Sequence, residues 1–178
     1  IEEVIASNGY SPEQADNLRN SGRTFNYYLY DNQVDDYGQD HYQFHFSNQM
    51  NDFWSLNASL HYTKGSGFFE EYKEDQDFAN YLLDDVVIGG TTISSTDLIR
   101  RRWLDNDFYG VTYSLNYDKD KMSATLGGAF NQYDGNHMGE VIWAQYAING
   151  SIRHRYYEST SDKSDFNIFL KMNYQASI

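Results

Sequence analysis

Three histidines fall where imidazoles could act together. His41 and His45 flank Gln43, and His61 follows in the next alternating segment. With Asn51-Asp52 as the turn between the two segments, His61 pairs near Gln43, diagonally between His41 and His45. Imidazole suits Zn, Cu and Fe, so the trio could hold a metal or haem. The competing reading is three hydrated side chains in a polar network. Neighbours on one strand face lie about 7 Å apart, and three converge only with helpful rotamers.

Cations and rings supply the other candidates. Arg100, Arg101 and Arg102 form the densest basic cluster among 13 Lys and Arg. Guanidinium groups can grip a carboxylate or phosphate bidentately. They can equally pair with nearby acids such as Asp84, Asp85, Asp97, Asp105 and Asp107. Arg153, His154, Arg155, Tyr156 and Tyr157 pose the same alternatives, with rings that could stack on a ligand. Tyr27, Tyr28, Tyr30 and Tyr37 stand beside Asp31, Asn32, Asp35 and Asp36. Rings and amides together suit sugars or planar ligands, and they also suit a packed rim. The run YKEDQD lacks the spaced pattern of a dedicated Ca²⁺ loop and reads as a solvated face. No G-x-S-x-G, P-loop or H-E-x-x-H sequence occurs, so no catalytic residue, enzyme activity or cofactor is expected.

The elements that must carry these groups belong to an unusual chain. It has 178 residues, 17% aromatic, with 17 Tyr, one Pro and no Cys, yet mean hydropathy is −0.75. So many rings argue against disorder. A net charge of −13 argues against nucleic acid. The lack of Cys excludes disulfides and Cys-based metal centres. No apolar run is long enough for a transmembrane helix. The opening IEEVIASNGY has neither a signal-peptide pattern nor an initiating Met, so a processed start or an excerpt is expected.

A short helix is written over residues 11–22. Ser11 caps it, Pro12 opens it, Gln14 completes a capping box and Gly22 ends it. Five strands follow from strict period-2 alternation. Their apolar faces are Tyr42–Met50, Trp54–Tyr62, Tyr109–Tyr117, Met122–Phe130 and Phe166–Tyr174. Tight turns at Asn51-Asp52 and at Asp118-Lys119-Asp120 make hairpins over about 41–63 and 106–133, with a last strand over about 165–175. The connections 63–107 and 131–165 read as long loops. A helix is expected in EEYKEDQDFANYLL, and further strands in VVIGGTTI and VIWAQYAI.

The placement of rings decides which solvent the apolar faces meet. Trp54 and Tyr62 bracket Leu56, Ala58 and Leu60, while Phe166 and Tyr174 bracket Ile168 and Leu170. Tyr109 and Tyr117 bracket Val111 and Leu115, with Tyr113 breaking the pattern midway. Aromatic girdles around an aliphatic band are the mark of a lipid-facing barrel wall. Nine residues rise about 30 Å, which strand tilt brings to the roughly 25 Å height of such walls. The expected fold is therefore all-β: antiparallel hairpins of a transmembrane β-barrel with long extracellular loops and a polar lumen. Five strands cannot close a barrel, so residues 1–178 are expected to be part of one. A small complete barrel with an adhesion or structural role, and a soluble β-sandwich binding module, are the alternatives.

Three segments carry a closer likeness. YLYDNQVDDYGQDHYQFHF, LIRRRWLDNDFYGVTYSLNY and GEVIWAQYAINGSIRHRYYE resemble barrel segments of TonB-dependent outer-membrane receptors, especially those of Bacteroidetes. The likeness spans roughly residues 8–175, and WLDNDFYG followed by a hairpin is its most specific part. It implies a bacterial outer-membrane protein that binds and imports a scarce nutrient: an iron–siderophore complex, haem, cobalamin or a glycan. Implied partners are outer-membrane lipid, lipopolysaccharide, whose phosphates could also meet the Arg cluster, and a small-molecule or glycan ligand. The TonB complex would act through parts of a parent protein missing here. The chain departs from the family in having no plug domain, TonB box, complete barrel or terminal aromatic.

Overall fold

The computed structural model describes residues 2–21, 30–146, Ser151 and 153–176. Two helices, α1 (Glu2–Asn8) and α2 (Pro12–Ser21), precede the sheet. The capping box forms as expected: Gln14 N donates to Ser11 Oγ at 3.2 Å, and Ser11 N donates to Gln14 Oε1 at 3.0 Å. Gly22, read as the helix stop, lies outside the described residues. Helix α1 was not legible in the pattern. Arg19 ties it to α2 through both carboxylate oxygens of Glu2, at 2.9 and 3.0 Å.

The rest is antiparallel β. Five long strands, β1 (Val34–Gln49), β2 (Trp54–Asp77), β5 (Ser95–Lys119), β6 (Met122–Ala144) and β7 (His154–Tyr174), form one sheet in the order β1-β2-β5-β6-β7. A separate hairpin, β3 (Val86–Ile88) with β4 (Thr91–Ile93), sits between β2 and β5. The sheet is open, since among the described residues β1 and β7 pair with nothing beyond their inner neighbours.

All five expected strands are present, but they run much further than their apolar faces. The connections read as loops are mostly strand: β2 and β5 stay paired from Trp54↔Tyr117 to Asp77↔Ser95. Likewise β6 and β7 pair up to Val141↔His154. Past Tyr62 the outward residues become Lys64, Ser66, Phe68 and Glu70, and the other face is equally mixed, with Thr63, Gly65, Gly67, Phe69 and Glu71. Two mixed faces erase the period-2 contrast, while backbone ladder bonds hold the strands regardless. The expected helix over 70–83 is absent for this reason. Glu70 and Glu71 pair with Arg101 and Arg100 on β5, and only a 3-10 turn, Phe78–Tyr81, follows β2. Leu82 ends that turn in the left-handed region, at φ 54°.

Two smaller expectations shift. Lys119 pairs with Met122, so the second turn is Asp120-Lys121, with Asp120 at φ 53°, one residue beyond the expected turn. VVIGGTTI does form strands, the β3–β4 hairpin. In VIWAQYAI, Val141–Ala144 close β6, and the last two residues lie outside the described set.

Among the described residues the buried core of the sheet is at one end. Phe78, Tyr81, Leu83, Val86, Leu98 and Val141 pack into a cap around the 3-10 turn. We call this end the apex and the opposite one the turn end. Over the turn-end half no second layer of described residues covers either face. Phe44, Phe166 and Leu170 remain 62%, 66% and 64% exposed.

Candidate functional site

Strand register lines the side chains up in rows across the sheet. On one face, here the outer face, Tyr42, Tyr62 and Tyr109 share a row, with Phe130 and Phe166 one step nearer the turn end. Leu60, Val111, Leu56, Leu115, Leu126, Ile168 and Leu170 fill the rows below. Trp54, Tyr117 and Tyr174 close the band, the first two with ring centroids 4.9 Å apart. Tyr113, the ring that interrupts the aliphatic band, lies against Gly128 on β6, where a side chain would meet its hydroxyl. The six residues read as a girdle, Trp54, Tyr62, Tyr109, Tyr117, Phe166 and Tyr174, therefore occupy the two margins of one band.

Directly above the upper margin runs a charged row: Asp40, Lys64, Asp107, Asp134 and Asp162, one from each strand. Tyr62 and Tyr109 donate their hydroxyls upward into it, to Asp107 at 2.5 Å and Asp134 at 3.1 Å. Lys64 bridges Asp105 and Asp107 at 2.5 and 3.1 Å. A shallow groove of about 330 Å³ opens among these residues. Charge is segregated along the strands. Residues 30–40, 63–107 and 131–165 hold 19 of the 26 acids but only eight of the 13 bases.

The opposite face is a hydrogen-bonded polar surface. The register places His61 opposite Gln43, close to where the sequence set it, with residues 51–53 rather than Asn51-Asp52 alone forming the turn. The three imidazoles do not converge. His41 Nδ1 meets Thr63 Oγ1 at 2.9 Å, His45 Nδ1 meets Ser59 Oγ at 2.8 Å, and His61 Nε2 reaches across Gly110 to Asn131 Oδ1 at 3.0 Å. Among the described residues no group of three or more His, Cys, Asp or Glu is placed to hold a metal ion. Ser47, Asn57, Ser114, Asn116 and Thr125 continue the network over four strands. A second groove, about 350 Å³, lies between Asn57, Thr112, Ser114, Asn167 and Phe169.

At the apex the arginines are committed to acids. Arg100 holds Glu71 at 2.6 Å and donates to the Tyr81 hydroxyl at 3.0 Å. Arg101 holds Glu70 at 2.7 Å with its guanidinium 4.1 Å from the Phe68 ring centre. Arg102 reaches Glu71 at 3.3 Å. Pairing with acids was one of the two readings of this cluster, but Glu70 and Glu71, both buried, are the partners rather than the aspartates singled out. Continuing the Tyr62↔Tyr109 register outward would have found them.

The second cation cluster divides. Arg155 contacts Glu158 at 2.8 Å and Glu140 at 3.9 Å. Arg153 is an exposed turn residue at φ 54°. Tyr156 is the extra residue of a bulge, because Tyr157 pairs with Gly139 and Arg155 with Glu140. The bulge re-aims its ring onto Tyr81, 4.7 Å away, in the cap. Burial there pushes the Tyr156 phenol up to about 12, against the opposing pull of Arg100. Tyr30 also turns inward and donates to Glu70 at 2.6 Å. Tyr28 lies outside the described residues.

No family model, curated protein or solved structure matches the chain. Its function must therefore be argued from this geometry.

Proposed function

We propose that the sheet is one arc of a transmembrane β-barrel in a bacterial outer membrane, and that the parent protein is a TonB-dependent receptor importing a scarce nutrient. One observation carries the membrane part: a band of aliphatic side chains about nine residues tall, bounded by rings at both margins, with no layer of the described residues over it. A soluble protein rarely leaves so large an apolar surface uncovered. The charged row and acidic extension above the band then belong to the extracellular side, and the polar face lines the lumen.

The receptor role rests on the resemblance of the three quoted segments. In that role the polar network and the apex contribute part of a surface for a small molecule or glycan. Pairing of Arg100, Arg101 and Arg102 with acids makes them positioning groups for the apex rather than a free anion clamp.

Fractionation of cells expressing the native protein tests the reading. The polypeptide should sediment with outer membranes, resist alkaline carbonate and require detergent for release. Release into plain buffer as a monomer would overturn it in favour of a sandwich module. Nutrient uptake should fall when either this protein or TonB is removed.

A further inference from the structure

On the polar face many side chains bond one another, His45 to Ser59, Ser47 to Asn57 and His61 to Asn131 among them. On β6 the same face also carries Gly127 and Ala129, which have no polar group to offer. Register sets Thr112 and Asn167 on either side of Ala129, and Ser114 and Phe169 on either side of Gly127. Two small residues between taller neighbours leave the groove of about 350 Å³. Strands lie about 4.8 Å apart, so its β5 and β7 walls stand roughly 10 Å apart.

Two features of this groove do nothing for the fold. Thr112 and Asn167 are exposed there, and neither side chain has a hydrogen-bond partner among the described residues. Phe169 leans across Gly127, where a Cβ would stand 2.7 Å from its ring, yet it keeps 51% of its surface exposed. Among the described strand residues it is the one Phe, Tyr or Trp on the polar face between the turns and the row of His41 and Thr63. A ring on a water-facing wall forgoes burial until a ligand covers it.

The lining also selects by charge. No Asp, Glu, Lys, Arg or His lines the groove among the described residues, in a chain of net charge −13. An anionic ligand would find no cation there, and an ammonium no carboxylate. Hydroxyl and amide side chains both donate and accept, as sugar hydroxyls do. Ser114 accepts from Asn57 and Asn116 at 3.5 and 3.3 Å, which leaves its own proton for a ligand oxygen. The volume is at the small end of ligand pockets, with room for roughly one or two sugar rings.

We propose that this groove is a subsite for a neutral sugar unit. Phe169 is the platform under the sugar ring, and Thr112, Ser114 and Asn167 bond its hydroxyls. The proposal rests on the reading of this face as a lumen wall, and it assigns the imported nutrient to the glycan class.

Saturation-transfer NMR on the native protein, extracted in a detergent without a sugar headgroup, tests it. The probes are glucose, galactose, N-acetylglucosamine and maltose, with glucuronate and glucosamine as charged counterparts. At least one neutral sugar should receive saturation from aromatic protons and bind roughly tenfold more tightly than either charged one. Phe169→Leu should abolish the aromatic transfer, and Asn167→Ala should weaken binding about tenfold. Thr112→Val keeps the β-branched shape at an exposed position, so its similar loss reports on the groove even if Phe169→Leu misfolds. Equal binding of charged and neutral sugars would overturn the proposal. So would no transfer to any probe at millimolar concentration, or neutral-sugar binding that survives Asn167→Ala and Thr112→Val. Fractionation reads the barrel separately. A monomer free in plain buffer would overturn the barrel reading, and import with it, whatever the groove binds. A membrane-retained protein that binds no sugar here would overturn only this inference.

Discussion

Tyr37 on β1 lies across Gly65 on β2 and donates its hydroxyl to Asn106 of β5 at 2.8 Å. One side chain thus staples three strands just above the charged row, and it can do so because the middle strand offers no Cβ there. Asn106 is buried, so its amide depends on this partner. Tyr37→Phe should cost about 1 kcal/mol through the unpaired amide. Gly65→Val should cost about 1–3 kcal/mol by displacing the ring. Combining the two should cost less than the sum, and equilibrium unfolding of the four proteins in a double-mutant cycle checks this.

Facing can be measured residue by residue. Arg at Leu56 or Val111 should lower stability by about 2–4 kcal/mol if these side chains meet the bilayer midplane, and Arg at Asn57 or Ser114 by much less. Refolding into lipid vesicles with urea titration reads the difference. Equal losses at both sets would contradict the assignment of faces.

Removing Glu71 should loosen the apex without touching the band. Arg100 and Arg102 both contact it, and it is only 6% exposed. Glu71→Ala should therefore destabilise the apex by about 1.5–3 kcal/mol. Proteolysis within 78–94 should accelerate while tryptophan fluorescence from Trp54 holds.

The Tyr72–Asp97 pair gives a pH signature. Tyr72 donates to Asp97 Oδ2 at 2.6 Å, which pushes the phenol up to about 12, aided by desolvation. The same bond, with one from the Asp75 amide, holds the Asp97 carboxyl below its usual range. Tyr72 is protonated in the favoured state, so its contribution is full below the ordinary phenol range near 10 and fades as pH rises toward 12. Asp97 contributes above the ordinary carboxylate range and fades as pH falls below it. Ultraviolet titration should show phenolate absorbance rising near 12, from Tyr72 together with Tyr156, with an amplitude that Tyr72→Phe reduces.

The turn-end half of the sheet was legible because one face there is apolar and the other polar. Tyr42 to Met50 and Trp54 to Tyr62 announce their period, and a turn at Asn51-Asp52, which takes in Phe53 as well, sets the register that places His61 opposite Gln43. The apical half was hidden by the opposite circumstance. Phe68 and Phe69 fall on different faces, as do Glu70 and Glu71, so no period survives there. Tyr156 was unreadable as a cap residue because a bulge, invisible in composition, redirects it. The polar partners of the histidines were also out of reach, since Asn131 comes from a strand two ladders away.

The two ends of the hairpins differ in bulk. At one end only residues 50–53 and 120–121 connect the strands, whereas the other carries the 3-10 turn, a second hairpin, a packed cap and most of the acids. On the barrel reading the bulky end is the extracellular one, so a protein entering from the cell interior would have to carry its cap and the row of Asp107, Asp134 and Asp162 across the hydrocarbon while the slim turns stay on the side of entry. Charged groups resist that passage, so insertion would need an assisted route.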